Sequence, residues 1–232
     1  KHVNYPIEVQ NHRLHISGSI GVTFFPLDHS GPDALLRHAH EAMYQAKGKN
    51  RSGFHLYDPV QDQQLRQRQQ MREDFALALQ SDQQLMLYYQ PKVDLSDGRV
   101  IGLEALIRWQ HPREGFLAPG QFLPLIEGTP LEIALGEWVT TTALAQQQTW
   151  QEAGIRLAVS INISPRHIQM PSFVDFLART LIDYPAGADG ALEIEILEIS
   201  EIDDIGNAAQ VMNACKALGV HFALDDFGTG YS

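Results

Sequence analysis

Cysteine is almost missing from this sequence. Cys215 is the only one among 232 residues, so no disulfide can form within the chain, and a reducing cytoplasm is the expected setting. Also missing is any apolar run near the roughly 18 residues that read as a membrane helix, and no signal peptide opens the sequence. Basic residues are scarce: 17 Lys and Arg against 28 Asp and Glu give a formal charge of −11. That balance argues against a nucleic-acid polymer as partner, because no basic face is on offer to a row of phosphates. A small anionic ligand stays possible wherever local arginines or metal ions reverse the sign. Hydrophobic residues make up 44% of the chain, enough to bury a real core in one large domain or two smaller ones.

The first sixty residues read as a small α/β segment. His15–Phe25 alternates small or polar with apolar side chains and predicts a strand, with loop over residues 26–32. Asp33 is the expected N-cap of a helix through Lys47, with Leu35, Leu36, Ala39, Ala42, Met43 and Ala46 as its apolar stripe and Gly48 as its stop. A short strand over Gly53–Tyr57 follows. Two histidine pairs raise a metal question. His38 and His40 are two apart on a helix and face different sides, and His12 and His15 lack acidic or cysteine company, so solvated surface is the better reading for both. Pro59 breaks the chain, and Val60–Gln80 reads as a connecting helix that turns amphipathic near Met71.

From Leu85 onward strands and helices alternate. Strands are expected over Leu85–Gln90, Arg99–Trp109, Leu157–Ile163, Ala191–Glu198 and Val220–Asp226. Helices are expected over Phe122–Gln151 with a break at residues 128–130, over Phe173–Tyr184 and over Ile205–Leu218. Asp97-Gly98 marks the turn between the first two strands. Such alternation argues an α/β fold with a parallel sheet, either doubly wound or a (β/α) barrel. Gly102–Trp109 reads as a buried strand of that sheet. Glu104, Leu106 and Arg108 share one of its faces, and Leu103, Ala105 and Ile107 share the other. An internal Glu104–Arg108 ion pair is the plain alternative to a site.

The strand ends favour a site. Glu104, Asn162, Glu195 with Glu198, and Asp225-Asp226 come from four successive strands, each delivering its oxygen ligand towards its C-terminal end, and in a barrel such ends meet on one face. Crowded carboxylates repel unless a cation is present. An all-oxygen set suits Mg²⁺ or Mn²⁺, and the paired aspartates could bridge two ions of the kind that hydrolyse phosphodiesters. Arg108 could fork onto a phosphate oxygen.

Two family resemblances follow from these residues. Ser19-Ile20-Gly21-Val22, Ala34-Leu35-Leu36 and Ala39-His40-Glu41-Ala42-Met43-Tyr44-Gln45-Ala46-Lys47 resemble the C-terminal part of a GGDEF (diguanylate cyclase) domain, with His40 where an aspartate is usual. Tyr89-Gln90-Pro91, Glu104-Ala105-Leu106-Ile107-Arg108-Trp109, Asn162-Ile163-Ser164, Glu195-Ile196-Leu197-Glu198 and Asp225-Asp226-Phe227-Gly228-Thr229-Gly230 resemble an EAL domain, the cyclic di-GMP phosphodiesterase family. The resemblance implies residues 1–58 from a GGDEF domain, a helical linker over 59–72, and residues 73–232 as the N-terminal part of an EAL-type TIM-like barrel cut after about five strands. It further implies Glu104, Asn162, Glu195, Asp225 and Asp226 as ligands of two Mg²⁺ or Mn²⁺ ions. Gln90, Leu106 and Arg108 would contact cyclic di-GMP, and Glu198 would hold the metal-proximal loop. Glu104, Asp225, Asp226 and Glu198 are the expected catalytic set, and a homodimer through the EAL domain is the expected assembly.

Two positions depart from the EAL pattern. Leu197 replaces the usual threonine, and Glu127-Gly128-Thr129-Pro130 differs from the usual acidic turn. A non-hydrolysing cyclic di-GMP receptor is the competing expectation. Both ends of the chain read as cuts, so the 232 residues alone are expected to show little or no catalysis.

Overall fold

The computed structural model describes residues 7–9, 12–14, 17–49, 53–81, 83–187, 191–197 and 205–225. Their contacts divide into two compact units, residues 1–70 and 71–232.

In the first unit, β1 (Ile7–Val9) and β2 (His12–Leu14) form an antiparallel ladder. β3 (Ser19–Val22) pairs in parallel with β4 (Gly53–Leu56), and α1 (Pro32–Lys49) connects them as the crossover that parallel pairing requires. Of the strand expected over His15–Phe25, His15 and Ile16 lie outside the described residues, and over residues 17–25 it is corrected to Ser19–Val22. Its downstream end leaves the ladder because Asp28 gathers the chain there: Thr23 Oγ1 donates to it at 3.0 Å, the Ser30 amide at 3.2 Å, and His38 Nδ1 lies 2.6 Å away. Burial works against this carboxylate, but the hydrogen bonds more than offset it and hold it well below the usual carboxylate range. His38 also stacks on Tyr57 at 4.2 Å, so its reading as solvated surface is corrected. Pro32 occupies the first helical position, where its missing N–H costs nothing, and Asp33 stands inside the first turn rather than capping it. Of the expected apolar stripe, Ala42 and Ala46 are buried while Leu36 is 73% exposed.

The unit division falls within α2 (Pro59–Ala78). Near its start Asp62 accepts from Gln45 at 2.6 Å and Arg66 donates to Glu41 at 3.2 Å. Towards its end Phe75 and Ala78 are buried in the second unit, where the Phe75 ring meets Trp109 at 5.1 Å and Phe122 at 5.3 Å.

The second unit is built on one mixed sheet. Its strands are β5 (Leu85–Val93), β6 (Val100–His111), β7 (Gly115–Leu117), β8 (Ala158–Asn162), β9 (Leu192–Leu197) and β10 (His221–Asp225). The order is β10-β9-β8-β6-β5, with β7 appended to β6. Strands β6, β8, β9 and β10 run parallel, each beside its predecessor in the chain. A doubly wound sheet reverses its order partway, and no reversal occurs here, so of the two expected topologies the barrel-type winding is the one adopted. Gly102–Trp109 is parallel to β8 and antiparallel to both β5 and β7, so the parallel part of the sheet begins at β6. The hairpin between β5 and β6 closes with Gly98 at φ +72°, a left-handed position that favours glycine, and with the Asp94 amide donating to the Arg99 carbonyl at 2.8 Å.

The connections are α3 (Pro119–Ile126) and α4 (Pro130–Glu152) before β8, α5 (Pro165–Ile168), α6 (Phe173–Asp183) and a 3₁₀ turn (Pro185–Gly187) before β9, and α7 (Ile205–Ala217) before β10. The break expected at residues 128–130 is present: Thr129 Oγ1 accepts from the Leu131 amide at 3.3 Å and starts α4. β7, α5 and the 3₁₀ turn lacked any sequence expectation, because three or four residues carry too little periodicity to register. One sheet face packs against helices through Ala105, Ile107, Trp109, Val159, Ile161, Leu192, Ile194 and Ile196, all buried. That apolar layer leaves the other face to polar side chains.

Candidate functional site

Strand register determines which side chains share the polar face, because paired residues on neighbouring strands point the same way. Gln90 pairs with Glu104, Tyr88 with Leu106, and Met86 with Arg108. Glu104 pairs with Ser160, Ser160 with Glu193, and Asn162 with Glu195. Gln90, Glu104, Leu106, Arg108, Asn162 and Glu195, expected separately from sequence, therefore lie on one continuous face. The backbone of Asp225 pairs with Leu197, whereas Glu198, Asp226 and the side chain of Asp225 lie outside the described residues.

Within this face Asn162 Nδ2 donates to Glu104 Oε1 at 3.0 Å. Arg108 donates to the Ile107 carbonyl at 2.8 Å, and its guanidinium lies 5.6 Å from the centre of the Tyr88 ring. Glu104 and Arg108 therefore take separate partners, and the ion pair considered between them does not form. Neither is deeply buried: the face is half open, and Tyr88 is 50% exposed.

Glu195 is different, being only 7% exposed, and its Oε1 accepts from Lys92 Nζ. The same ammonium donates to Ser160 Oγ and, at 2.9 Å, to Glu193 Oε1. Burial works against the charge on Lys92, but the bonds from Glu195 and Glu193 overcome it and hold the ammonium above the ordinary lysine range. Burial likewise opposes the Glu193 charge, and hydrogen bonds from Lys92 and Ser160 outweigh it and lower its pKa. Lys92, Ser160 and Glu193 are residues of this face that carried no expectation from sequence. The expected strand stops at Gln90, whereas β5 continues through Pro91 to Val93, and proline is tolerated on an edge strand. β5 is the last strand in the order, and Pro91 stays in register with Leu103. Continuing the alternation two residues past Gln90 would have found Lys92.

The oxygen donors Glu104, Asn162 and Glu195 suit a hard cation such as Mg²⁺ or Mn²⁺. Among the described residues, however, no three His, Cys, Asp or Glu side chains converge closely enough to cage a metal ion. The only thiol, Cys215, is buried, and burial pushes it up to about 11, which rules it out as a nucleophile near neutral pH. A separate groove of about 460 Å³ is lined by Glu127, Glu132, Arg166, Gln169 and Met170 among others, and none of the expected site residues borders it. No helix of the described residues is long and apolar enough to cross a membrane.

The EAL domain family matches residues 69–232, and the diguanylate cyclase GGDEF domain family matches residues 1–53. The chain is 34% identical over its whole length to the bifunctional diguanylate cyclase/cyclic di-GMP phosphodiesterase MucR of Pseudomonas aeruginosa, covering 34% of that protein. It is also 34% identical to the cyclic di-GMP phosphodiesterase PA2567 of the same organism, over 94% of this chain and 37% of that one. The chain thus spans about a third of the length of these relatives. Among solved structures it resembles the PaMucR phosphodiesterase in complex with c-di-GMP, at a TM-score of 0.65 and 37% identity over 70% of this chain and 66% of that one. It also resembles the EAL enzyme Bd1971 bound to cAMP and cyclic di-GMP, at 0.64 and 26% identity over 86% of this chain and 50% of that one.

Proposed function

The chain belongs to the EAL domain family, preceded by a segment of the GGDEF family, and from that premise we propose that its protein is a phosphodiesterase hydrolysing cyclic di-GMP to linear pGpG. The observation that carries this reading is the shared polar face, where Gln90, Glu104, Leu106, Arg108, Asn162 and Glu195 come together from four neighbouring strands. Glu104, Asn162, Glu195, Asp225 and Asp226 are the proposed ligands of two Mg²⁺ or Mn²⁺ ions. The chemistry such ions supply is activation of water and neutralisation of charge at the phosphate.

The remaining roles belong to the chain's own side chains. Arg108 is held by one carbonyl and one aromatic ring, contacts that a phosphate oxygen can replace with stronger charge-assisted bonds. Leu106 presents an apolar surface beside it, and Gln90 offers both a donor and an acceptor to a base edge or a phosphate. Asn162 fixes Glu104 Oε1 through its amide and keeps its own carbonyl oxygen as a donor towards a cation. Glu198 is assigned to holding the loop that carries these oxygens. The same proposal divides the chain into a GGDEF-derived segment over 1–58, a linking stretch over 59–72 and the EAL segment from 73, and includes a homodimer formed through the EAL domain.

The test is direct. The full-length protein is incubated with cyclic di-GMP and Mg²⁺, and the products are separated by chromatography. Accumulation of pGpG, lost on Glu104→Gln substitution, is the expected result. Tight binding of cyclic di-GMP with no pGpG formed would overturn the reading.

A further inference from the structure

Lys92 is surrounded in a way that a solvated lysine is not. An ammonium has three N–H donors, and all three have acceptors here: Ser160 Oγ, Glu193 Oε1 and Glu195 Oε1. Ser160 Oγ in turn donates to Glu193 Oε1 at 2.7 Å, which closes the network and ties the two carboxylates to one cation. Glu193 and Glu195 are two apart on β9 and share its polar face, so their charges repel across a partly dry space. Lys92 cancels one of those two charges. Removing a single partner from such a group leaves an uncompensated buried charge, which proteins avoid.

We infer that Lys92 is an internal counter-cation that holds Glu195 in place and weakens the hold of that carboxylate on a divalent ion. This rests on the reading of Glu195 as a cation ligand. The direction follows from charge alone. Without a bound ion, the ammonium relieves the repulsion between Glu193 and Glu195 and so stabilises the empty site. An ion held by Glu195 would be repelled by the ammonium that bonds the same carboxylate. Both effects lower cation affinity, and neither requires Lys92 to touch the dinucleotide, so it is a positioning residue rather than a catalytic one.

Mn²⁺ alone is the probe, titrated into the full-length protein without dinucleotide while free ion is read by electron paramagnetic resonance. Lys92→Met is expected to tighten Mn²⁺ binding about tenfold or more, the effect of removing a unit charge a few ångströms from the ion at protein-like dielectric. Glu195→Gln is expected to weaken it by about as much, for the opposite reason. Should Lys92→Met not fold, the same comparison is made in the Glu193→Gln background, where the two charges of the pair are removed together: Lys92→Met/Glu193→Gln is expected to bind Mn²⁺ about tenfold more tightly than Glu193→Gln. Unchanged or weaker binding on loss of Lys92, with Glu195→Gln still weakening it, overturns the role of Lys92 alone. Unchanged binding in Glu195→Gln overturns the reading of Glu195, and the inference with it.

Discussion

Arg108 is restrained by one backbone carbonyl and a ring contact at 5.6 Å, both weak beside a charge-assisted pair with phosphate. Its truncation should therefore spare the fold and damage binding. Arg108→Ala is expected to raise the dissociation constant for cyclic di-GMP by about 10- to 100-fold, the loss of a charged hydrogen bond, with the thermal midpoint unchanged. Calorimetric titration measures the first and a melting curve the second; equal affinity in the variant would remove Arg108 from the site. His167 behaves in the opposite way. It is buried against the Phe173 ring at 4.9 Å, and its Nδ1 has no hydrogen-bond partner. Burial pushes its pKa down to about 4. Below the ordinary histidine range the unfolded chain takes a proton that the folded one refuses, so this residue's contribution is present at pH 7 and lost as pH falls. Between pH 7 and pH 5 the loss is about 2 kcal/mol. Urea unfolding at the two pH values should show a steeper fall for the native protein than for His167→Leu; identical falls would contradict the burial argument.

At the scale of elements, close packing decides more than propensity. β3 and α1 meet at Gly21, where an added Cβ would lie 1.8 Å from the Ala39 carbonyl oxygen and 2.3 Å from the Met43 amide nitrogen. Those are backbone atoms of a helix and cannot give way. Gly53, on the partnering strand β4, has nothing within 4 Å of the same position. Gly21→Ala is accordingly expected to destabilise the first unit by about 3 kcal/mol or more, overpacking with no room to relax, whereas Gly53→Ala should stay within about 1 kcal/mol of the native protein. Denaturant midpoints of the two variants provide the measurement, and equal midpoints would contradict the packing. Much of each element was legible beforehand. The helix over Ile205–Ala217, the interrupted helical region around residues 128–130 and the Asp97-Gly98 turn rest on local signals. The strand expected over Leu85–Gln90 extends to Val93 for the opposite reason: whether a strand can run on through Pro91 depends on whether it lies at a sheet edge.

At the scale of the whole molecule, the winding of the sheet sets what the site can be. Strands β6, β8, β9 and β10 lie side by side in chain order, so β6, β8 and β9 deliver Glu104, Ser160, Asn162, Glu193 and Glu195 to one face. The proposed role of Glu104, Asn162 and Glu195 among them is to hold a divalent cation. Exhaustive chelation of the full-length protein is expected to abolish cyclic di-GMP hydrolysis, and added Mg²⁺ or Mn²⁺ to restore it. Turnover that survives a chelator, followed as pGpG released over time, would remove the cation from the proposed reaction.

The sequence by itself determined the family, the alternation of strands and helices, and the facing of Glu104, Leu106 and Arg108, because motif order and strand periodicity are written in consecutive residues. It also placed Asn162 and Glu195 at the ends of their strands. The partners of these residues depended on tertiary structure alone. That Glu104 bonds Asn162 rather than Arg108, that His38 is drawn to Asp28 and Tyr57 rather than to solvent, and that Lys92 meets Glu193 and Glu195 about a hundred residues away all depend on register between distant strands and on packing of distant turns. A strand's pattern states which way each side chain points. Only the neighbouring strand, set in register against it, decides what stands opposite.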